Sequence, residues 1–167
     1  LDWLIRVVAE LNKKGKKCRL IIAGINRNVI MENKPELFKL MEIESNIICL
    51  GNIPHRECLD MIASCDFSII IRENILVNRA GFPTKLSESF GCGTPVISTP
   101  SGNVSDYIIN NINGFVTDDF SLDSLKKLIE KVVDMDKGKI LNMHYTTKLE
   151  NKLRYEYFNE KIKKLKE

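Results

Sequence analysis

The amino-acid sequence predicts an α/β protein built on a doubly wound parallel sheet, and two observations carry that prediction. Short runs of branched apolar residues recur without alternation, as in strands buried on both faces. Stretches with helical apolar spacing separate them, and strands that alternate with helices imply parallel pairing through right-handed crossovers. At 167 residues the chain is long enough for one sizeable core. A content of 44% hydrophobic and 28% charged residues excludes a disordered, collagen-like or low-complexity chain.

The elements follow in order. Leu1, Leu4, Ile5, Val8 and Leu11 keep helical spacing and stop at Gly15, so the chain opens on an amphipathic helix that lacks a start signal. Strands are expected at 20–23, 47–50, 67–71, 95–97 and 115–116. Helices are expected at about 35–42, 55–64 and 84–92. A further helix carries Leu122, Leu125, Leu128, Ile129, Val132 and Val133, with Ser121 as N-cap and Asp123 in its first turn. Residues 137–167 read as a helix of mixed charge interrupted near Gly138, with Leu149, Leu153, Tyr157, Ile162 and Leu165 as an irregular apolar stripe.

Charge narrows the function classes. The net charge of +3 is too mild to argue for nucleic acid. Its whole excess lies in residues 148–167, where seven basic residues (Lys148, Lys152, Arg154, Lys161, Lys163, Lys164, Lys166) face four acidic ones, while residues 1–147 balance at 18 against 18. Such a tail could sit on an anionic membrane, but its four acids and broken stripe favour a solvated helix whose apolar side packs on protein. No window approaches 18 apolar residues and no basic n-region precedes one, so neither a membrane span nor a signal peptide is expected. Five cysteines without a C-x-x-C pair (Cys18, Cys49, Cys58, Cys65, Cys92) read as reduced thiols, which places the protein in the cytoplasm.

Ligands of a doubly wound sheet bind outside the carboxyl ends of the strands, where loops lead into helix N-termini. The informative segment there is 72–93, R-E-N-I-L-V-N-R-A-G-F-P-T-K-L-S-E-S-F-G-C-G, which joins a strand to a helix. Gly81 permits a tight turn or the close approach of a ligand, and Pro83 suits a first helical position. The amides of Thr84 and Lys85 would then point outward at a positive helix end, an anion site worth about 0.3–1 kcal/mol when exposed and up to about 2 when partly buried. The Lys85 charge must therefore act with them. Glu88, four residues after Thr84, shares its helix face, and a carboxylate accepts two hydroxyls of a sugar diol. Phosphate donors and a diol acceptor one turn apart suit a nucleoside diphosphate. An ordinary loop with a proline-started helix and a solvated Glu88 fits the same residues. Arg72, at a strand end, offers either a bidentate grip on phosphate or a salt bridge to Glu73 or a neighbour.

The blocks G-N-I-P-H-R-E-C-L-D-M-I-A-S-C-D at 51–66, A-G-F-P-T-K-L-S-E-S-F-G-C-G-T-P-V-I-S at 80–98 and N-G-F-V-T at 113–117 resemble, in order and spacing, the C-terminal domain of group 1 (family 4) glycosyltransferases. The resemblance covers roughly residues 1–135. It implies a Rossmann-like doubly wound sheet that forms one half of a GT-B fold, with residues 1–135 as the nucleotide-sugar-binding domain and 136–167 as a helical extension. It further implies sugar transfer from a nucleoside diphosphate sugar, retaining and without a metal or other cofactor, to an acceptor held by a separate N-terminal domain.

The family pairs two glutamates as E-x7-E. Glu88 matches the second, which holds the ribose; the first falls on Ala80, and that departure leaves sugar identity and catalytic competence open. Glu73, seven residues before that position, has no evident claim to replace it. Gly81, Phe82 and Pro83 match the loop that approaches donor sugar and diphosphate, and Ile53 and Pro54 match the segment bordering the nucleobase. No catalytic residue can be assigned. The family's first strand and its diphosphate-binding Gly-Arg and Lys-Gly cations have no counterpart here. In a sheet of order 3-2-1-4-5-6 that strand is central, so its loss is expected to leave an unpaired edge in an isolated piece of a longer, by itself inactive, enzyme.

Other chemistries find little support. His55 and His144 lie far apart without ligand-spaced partners, and His55 suits a helix start. Neither dinucleotide and P-loop glycine signatures nor a G-x-S-x-G elbow occur. A non-catalytic binding or assembly module derived from such a transferase is the main alternative. A flavodoxin-like or receiver-like domain is weaker, because a receiver requires an acidic cluster at strand ends.

Overall fold

The computed structural model describes residues 1–151 and 155–164. In chain order these form α1 (Asp2–Lys13), β1 (Leu20–Ala23), α2 (Arg27–Asn33), α3 (Pro35–Ile43), β2 (Ile47–Gly51), α4 (His55–Ser64), β3 (Ser68–Ile70), α5 (Leu76–Ala80) and α6 (Thr84–Gly91). β4 (Val96–Ser98), a 3-10 turn (Val104–Asp106), β5 (Gly114–Val116), α7 (Leu122–Val133), α8 (Lys137–Leu149) and α9 (Tyr155–Lys164) follow. All five expected strands form, and every sheet pairing is parallel.

The strands divide between two sheets rather than forming one. β1 pairs with β2, and β3, β4 and β5 pair in that order. In a doubly wound order the strands beside the centre are those equivalent to β1 and β3, and each of these ends its own sheet. Burial follows pairing. β4, flanked on both sides, is buried at all three positions, whereas β3, paired on one side, is buried only at Ile70. The expectation of strands buried on both faces therefore holds in full for β4 alone.

The chain forms two compact units. The first holds Leu1–Cys58 and Lys126–Asp134. Its core joins one face of α1 (Ile5, Val8, Ala9) to Leu20, Ile22 and Ile47 of the sheet and to Leu37 and Met41 of α3. Each such side chain contributes about 1.5–3 kcal/mol on full burial. Gly15, at φ +80, ends α1 in the left-handed conformation that glycine adopts at no steric cost.

The second unit holds Leu59–Leu125 and the described residues from Met135 onward. Its core gathers Ile70, Leu86, Phe90, Val96, Val104 and Ile108. Leu86 and Phe90, one turn apart, seat α6 on this core. Gly114 lies against β4 so closely that a Cβ there would stand 2.1 Å from the Val96 carbonyl oxygen. Ser121 caps α7 as expected, its hydroxyl accepting the Ser124 amide at 3.1 Å.

The expected interruption near Gly138 is not found: Gly138 lies in the first turn of α8, and Asp136 caps that helix by accepting the Lys139 amide at 3.2 Å. The break falls after Leu149. Of the tail stripe, Leu149 and Ile162 are exposed, while Leu153, Leu165 and the Tyr157 side chain lie outside the described residues, as do Lys152, Arg154, Lys166 and the Lys161 side chain of the basic set. Among the described residues no helix is long and apolar enough to cross a membrane.

Candidate functional site

The second unit carries a pocket of about 400 Å³ at the carboxyl end of β3. Its volume falls in the range of small-molecule sites. Residues 69–71 form one wall, and Arg72, Phe82, Pro83, Thr84 and Lys85 form the other. Five of the nine site residues expected from the sequence thus come together.

Local sequence explains the geometry. Pro83 stands one position earlier than expected, as the N-cap of α6 with φ −72 and ψ 103, and it offers no side-chain cap. Its carbonyl accepts the Leu86 amide at 2.9 Å, which leaves the amides of Thr84 and Lys85 as the open donors of the first turn. Both side chains are exposed, and neither Thr84 Oγ1 nor Lys85 Nζ has a partner among the described residues. Phe82 packs edge-on against Tyr107, with ring centroids 5.2 Å apart and planes at 76°, which steadies the loop at the pocket's mouth.

Glu88 lies one turn further along α6, half-buried and with no ion pair or side-chain hydrogen bond among the described residues. The residues that anchor this helix are instead Leu86, Phe90 and Ser89, whose hydroxyl donates to the Lys85 carbonyl at 2.7 Å. Gly81 is exposed and extended, at φ −124 and ψ 132, a conformation open to any residue, so its glycine is not demanded by the backbone.

Arg72 does not form the salt bridge to Glu73 considered from sequence. Its guanidinium donates to the Gly81 carbonyl and to Asn78 Oδ1, each at 3.2 Å. Two of its five N–H donors are thus engaged with neutral oxygens, and no described carboxylate offsets its charge.

Sequence reading missed two features here. The segment 72–83 contains the helix α5, and Asn78 on that helix ties the loop by donating to the Glu73 carbonyl at 2.8 Å. Neither had a legible signal, because five residues are too few for periodicity and an isolated Asn carries no motif. Ala80 closes α5 and is exposed, without a carboxylate where the family has one. Ile53 and Pro54 belong to the first unit, in the turn between β2 and α4, where the Pro54 carbonyl accepts the Cys58 amide at 3.0 Å.

The remaining reactive groups are structural. His55 starts α4, and His144 Nε2 meets the Asp66 carbonyl oxygen at 3.0 Å. Burial pushes the thiols of Cys18 and Cys65 above the usual range, which disfavours the nucleophilic thiolate. Among the described residues no three His, Cys, Asp or Glu side chains gather as a metal site.

The family described as "Glycosyl transferases group 1" matches residues 1–152. The phosphatidylinositol N-acetylglucosaminyltransferase gpi3 subunit of Schizosaccharomyces pombe is 24% identical over 169 residues, covering 99% of this chain and 32% of the gpi3 subunit. Among solved structures, HepE of Anabaena in complex with UDP and glucose is similar at a TM-score of 0.68 and 18% identity, over 98% of this chain and 43% of that one. WaaG, a glycosyltransferase involved in lipopolysaccharide biosynthesis, is similar at a TM-score of 0.66 and 16% identity, over 93% of this chain and 40% of that one. At those identities the likeness speaks for the fold. The chain spans about a third to two fifths of the length of these proteins.

Proposed function

The chain belongs to the group 1 glycosyltransferases, and we propose that it is the donor-binding part of an enzyme that moves a sugar from a nucleoside diphosphate sugar to an acceptor. The observation that carries this reading is the pocket at the start of α6, lined by Arg72, Thr84 and Lys85, with Glu88 one turn away and without a side-chain partner among the described residues. Supporting it, HepE was solved with UDP and with UDP-glucose.

In this reading the amides of Thr84 and Lys85, with the Lys85 and Arg72 charges, receive the diphosphate. Gly81, Phe82 and Pro83 border the donor sugar and Glu88 accepts the ribose hydroxyls; the assignment of Ile53 and Pro54, in the first unit, to the base rests on the family resemblance alone. As the glycosidic bond breaks, negative charge grows on the leaving β-phosphate. Donors already fixed at a helix end meet that charge without reorganising, and this supplies transition-state stabilisation without a metal. The reaction is proposed to retain anomeric configuration, and the acceptor is held by a further N-terminal domain of the same cytoplasmic enzyme. Residues 1–135 form the donor domain and 136–167 its extension, whose basic residues offer peripheral contact with a membrane; the gpi3 subunit is by name a phosphatidylinositol glycosyltransferase.

One observation favours a second reading. Ala80 is exposed at the position where the family carries its first glutamate, which suits a module that binds nucleotide without turnover. Incubation of the full-length protein with labelled nucleotide sugars separates the two, since only the enzyme releases or transfers sugar. Calorimetric titration with UDP and GDP tests the site itself. A hydrogen bond to a charged group contributes about 1.5–3 kcal/mol, so Glu88→Ala weakens nucleotide binding about tenfold or more. Unchanged affinity removes Glu88 from the ribose role.

A further inference from the structure

The loop that borders the pocket is held by a closed set of hydrogen bonds around Arg72 and Asn78. Thr99, at the end of β4, fixes the Arg72 backbone on both sides: its hydroxyl accepts the Arg72 amide at 2.9 Å and donates to the Arg72 carbonyl at 2.7 Å. From that fixed point the guanidinium reaches Asn78 Oδ1 through Nη2 and the Gly81 carbonyl through Nη1. Asn78 Nδ2 in turn donates to the Glu73 carbonyl at 2.8 Å, which closes the circuit next to its origin. Ser101 adds a hydroxyl to that same carbonyl at 3.3 Å. Asn78 is half-buried, although every other residue of α5 is exposed.

The pattern differs from an ordinary surface ion pair. Both acceptors of Arg72 are neutral oxygens, six and nine residues along the chain, and a planar fork can hold two such oxygens together where a lysine ammonium is a compact point charge. The held carbonyl belongs to Gly81, the residue that leads through Phe82 and Pro83 into the first turn of α6.

We infer that Arg72 and Asn78 are positioning residues, which set the backbone course of Gly81 to Pro83 and thereby aim the Thr84 and Lys85 amides into the pocket. The inference rests on the donor-site reading above. Arg72 acts through the loop in addition to the charge it brings to the diphosphate, and Asn78 acts only through the loop.

The test measures amide hydrogen exchange in the ligand-free full-length protein and UDP affinity by calorimetry, for the native protein, Asn78→Ala, Arg72→Lys and Arg72→Ala. Asn78→Ala should speed exchange at residues 81–85 about tenfold while leaving β4 and β5 protected, and should weaken UDP binding about three- to tenfold with the thermal midpoint nearly unchanged. Arg72→Lys should fail to restore what Arg72→Ala loses. Unaltered exchange at 81–85 in Asn78→Ala overturns the tether whether or not UDP binds. Faster exchange with unaltered UDP affinity, while Glu88→Ala still loses binding, overturns the positioning role and leaves the donor site standing. Loss of affinity in Arg72→Ala without loss in Asn78→Ala also overturns it, since Arg72 would then act on phosphate directly. Failure of the native protein to bind UDP removes the donor reading, and the positioning role with it.

Discussion

The two units use charge differently. In the first, Lys14 bridges Glu10 and Glu130, Lys126 meets Glu10, Lys16 meets Asp134, Lys34 meets Asp2 and Arg6 meets Glu36. In the second, the cations at the pocket face neutral oxygens, as Arg72 does, or have no described partner, as Lys85 does. The matched pairs fasten α1 to α7 and to the start of α3, and within each pair the cation's charge is offset by a carboxylate. In the proposed donor site the cations beside the first turn of α6 have no such carboxylate among the described residues. Position in the fold, rather than the count of lysines, separates scaffold from site.

The strongest way to break the comparison is through the sheet that supports the pocket. Gly114→Ala places a methyl against the Val96 backbone, and because the obstacle is main chain rather than a flexible side chain, β4 and β5 must part. The substitution should destabilise the protein by about 3 kcal/mol, read from its denaturation midpoint. A loss within about 0.5 kcal/mol would show that the two strands are not held in this register.

A smaller effect sharpens the contrast between the units. Lys85→Ala should weaken UDP about three- to tenfold and flatten the salt dependence of binding, with little change in thermal midpoint. Lys16→Ala, which removes an exposed ion pair of the first unit, should do neither and should shift the midpoint by no more than about 3 °C. Equal effects of the two substitutions on UDP binding would erase the distinction.

The smallest effect concerns pH. The hydrogen bond from Lys34 holds the Asp2 carboxyl below its ordinary range, against a weaker opposing push from burial. A lowered folded value stabilises the protein above the unfolded value, and the contribution fades as pH falls through the folded one. Solvent screening limits it to about 0.3 kcal/mol, so Lys34→Met should slightly flatten the acid limb of stability below about pH 4. An unchanged limb means that the pair contributes nothing measurable.

The fold was legible where local signals agree with tertiary demand. Apolar runs located every strand, and helical spacing with a capping serine located α7 from its first residue to its last. The short helices α2 and α5 were missed because five to seven residues carry too little periodicity: α2 gives only Ile30 to the core, and Leu76 and Val77 of α5 are 73% and 77% exposed. Gly138 misled for the opposite reason. A glycine lowers helix propensity, but in a first turn capped by Asp136 that cost is tolerated. At the site, Pro83 announced the start of α6, one position early, because proline fixes φ and supplies no N–H. The part played by Asn78 depends on a bond to a side chain six residues away, and no periodicity encodes that.

The central claim is that the first turn of α6 receives a diphosphate while Glu88 receives a ribose. Backbone amide chemical shifts, followed residue by residue as UDP is added to the full-length protein, test it most directly. The account predicts saturable shifts that are largest at Gly81, Thr84, Lys85 and Glu88, with inorganic pyrophosphate reproducing those at Thr84 and Lys85 alone. Saturable UDP binding that leaves these four amides unmoved would contradict it.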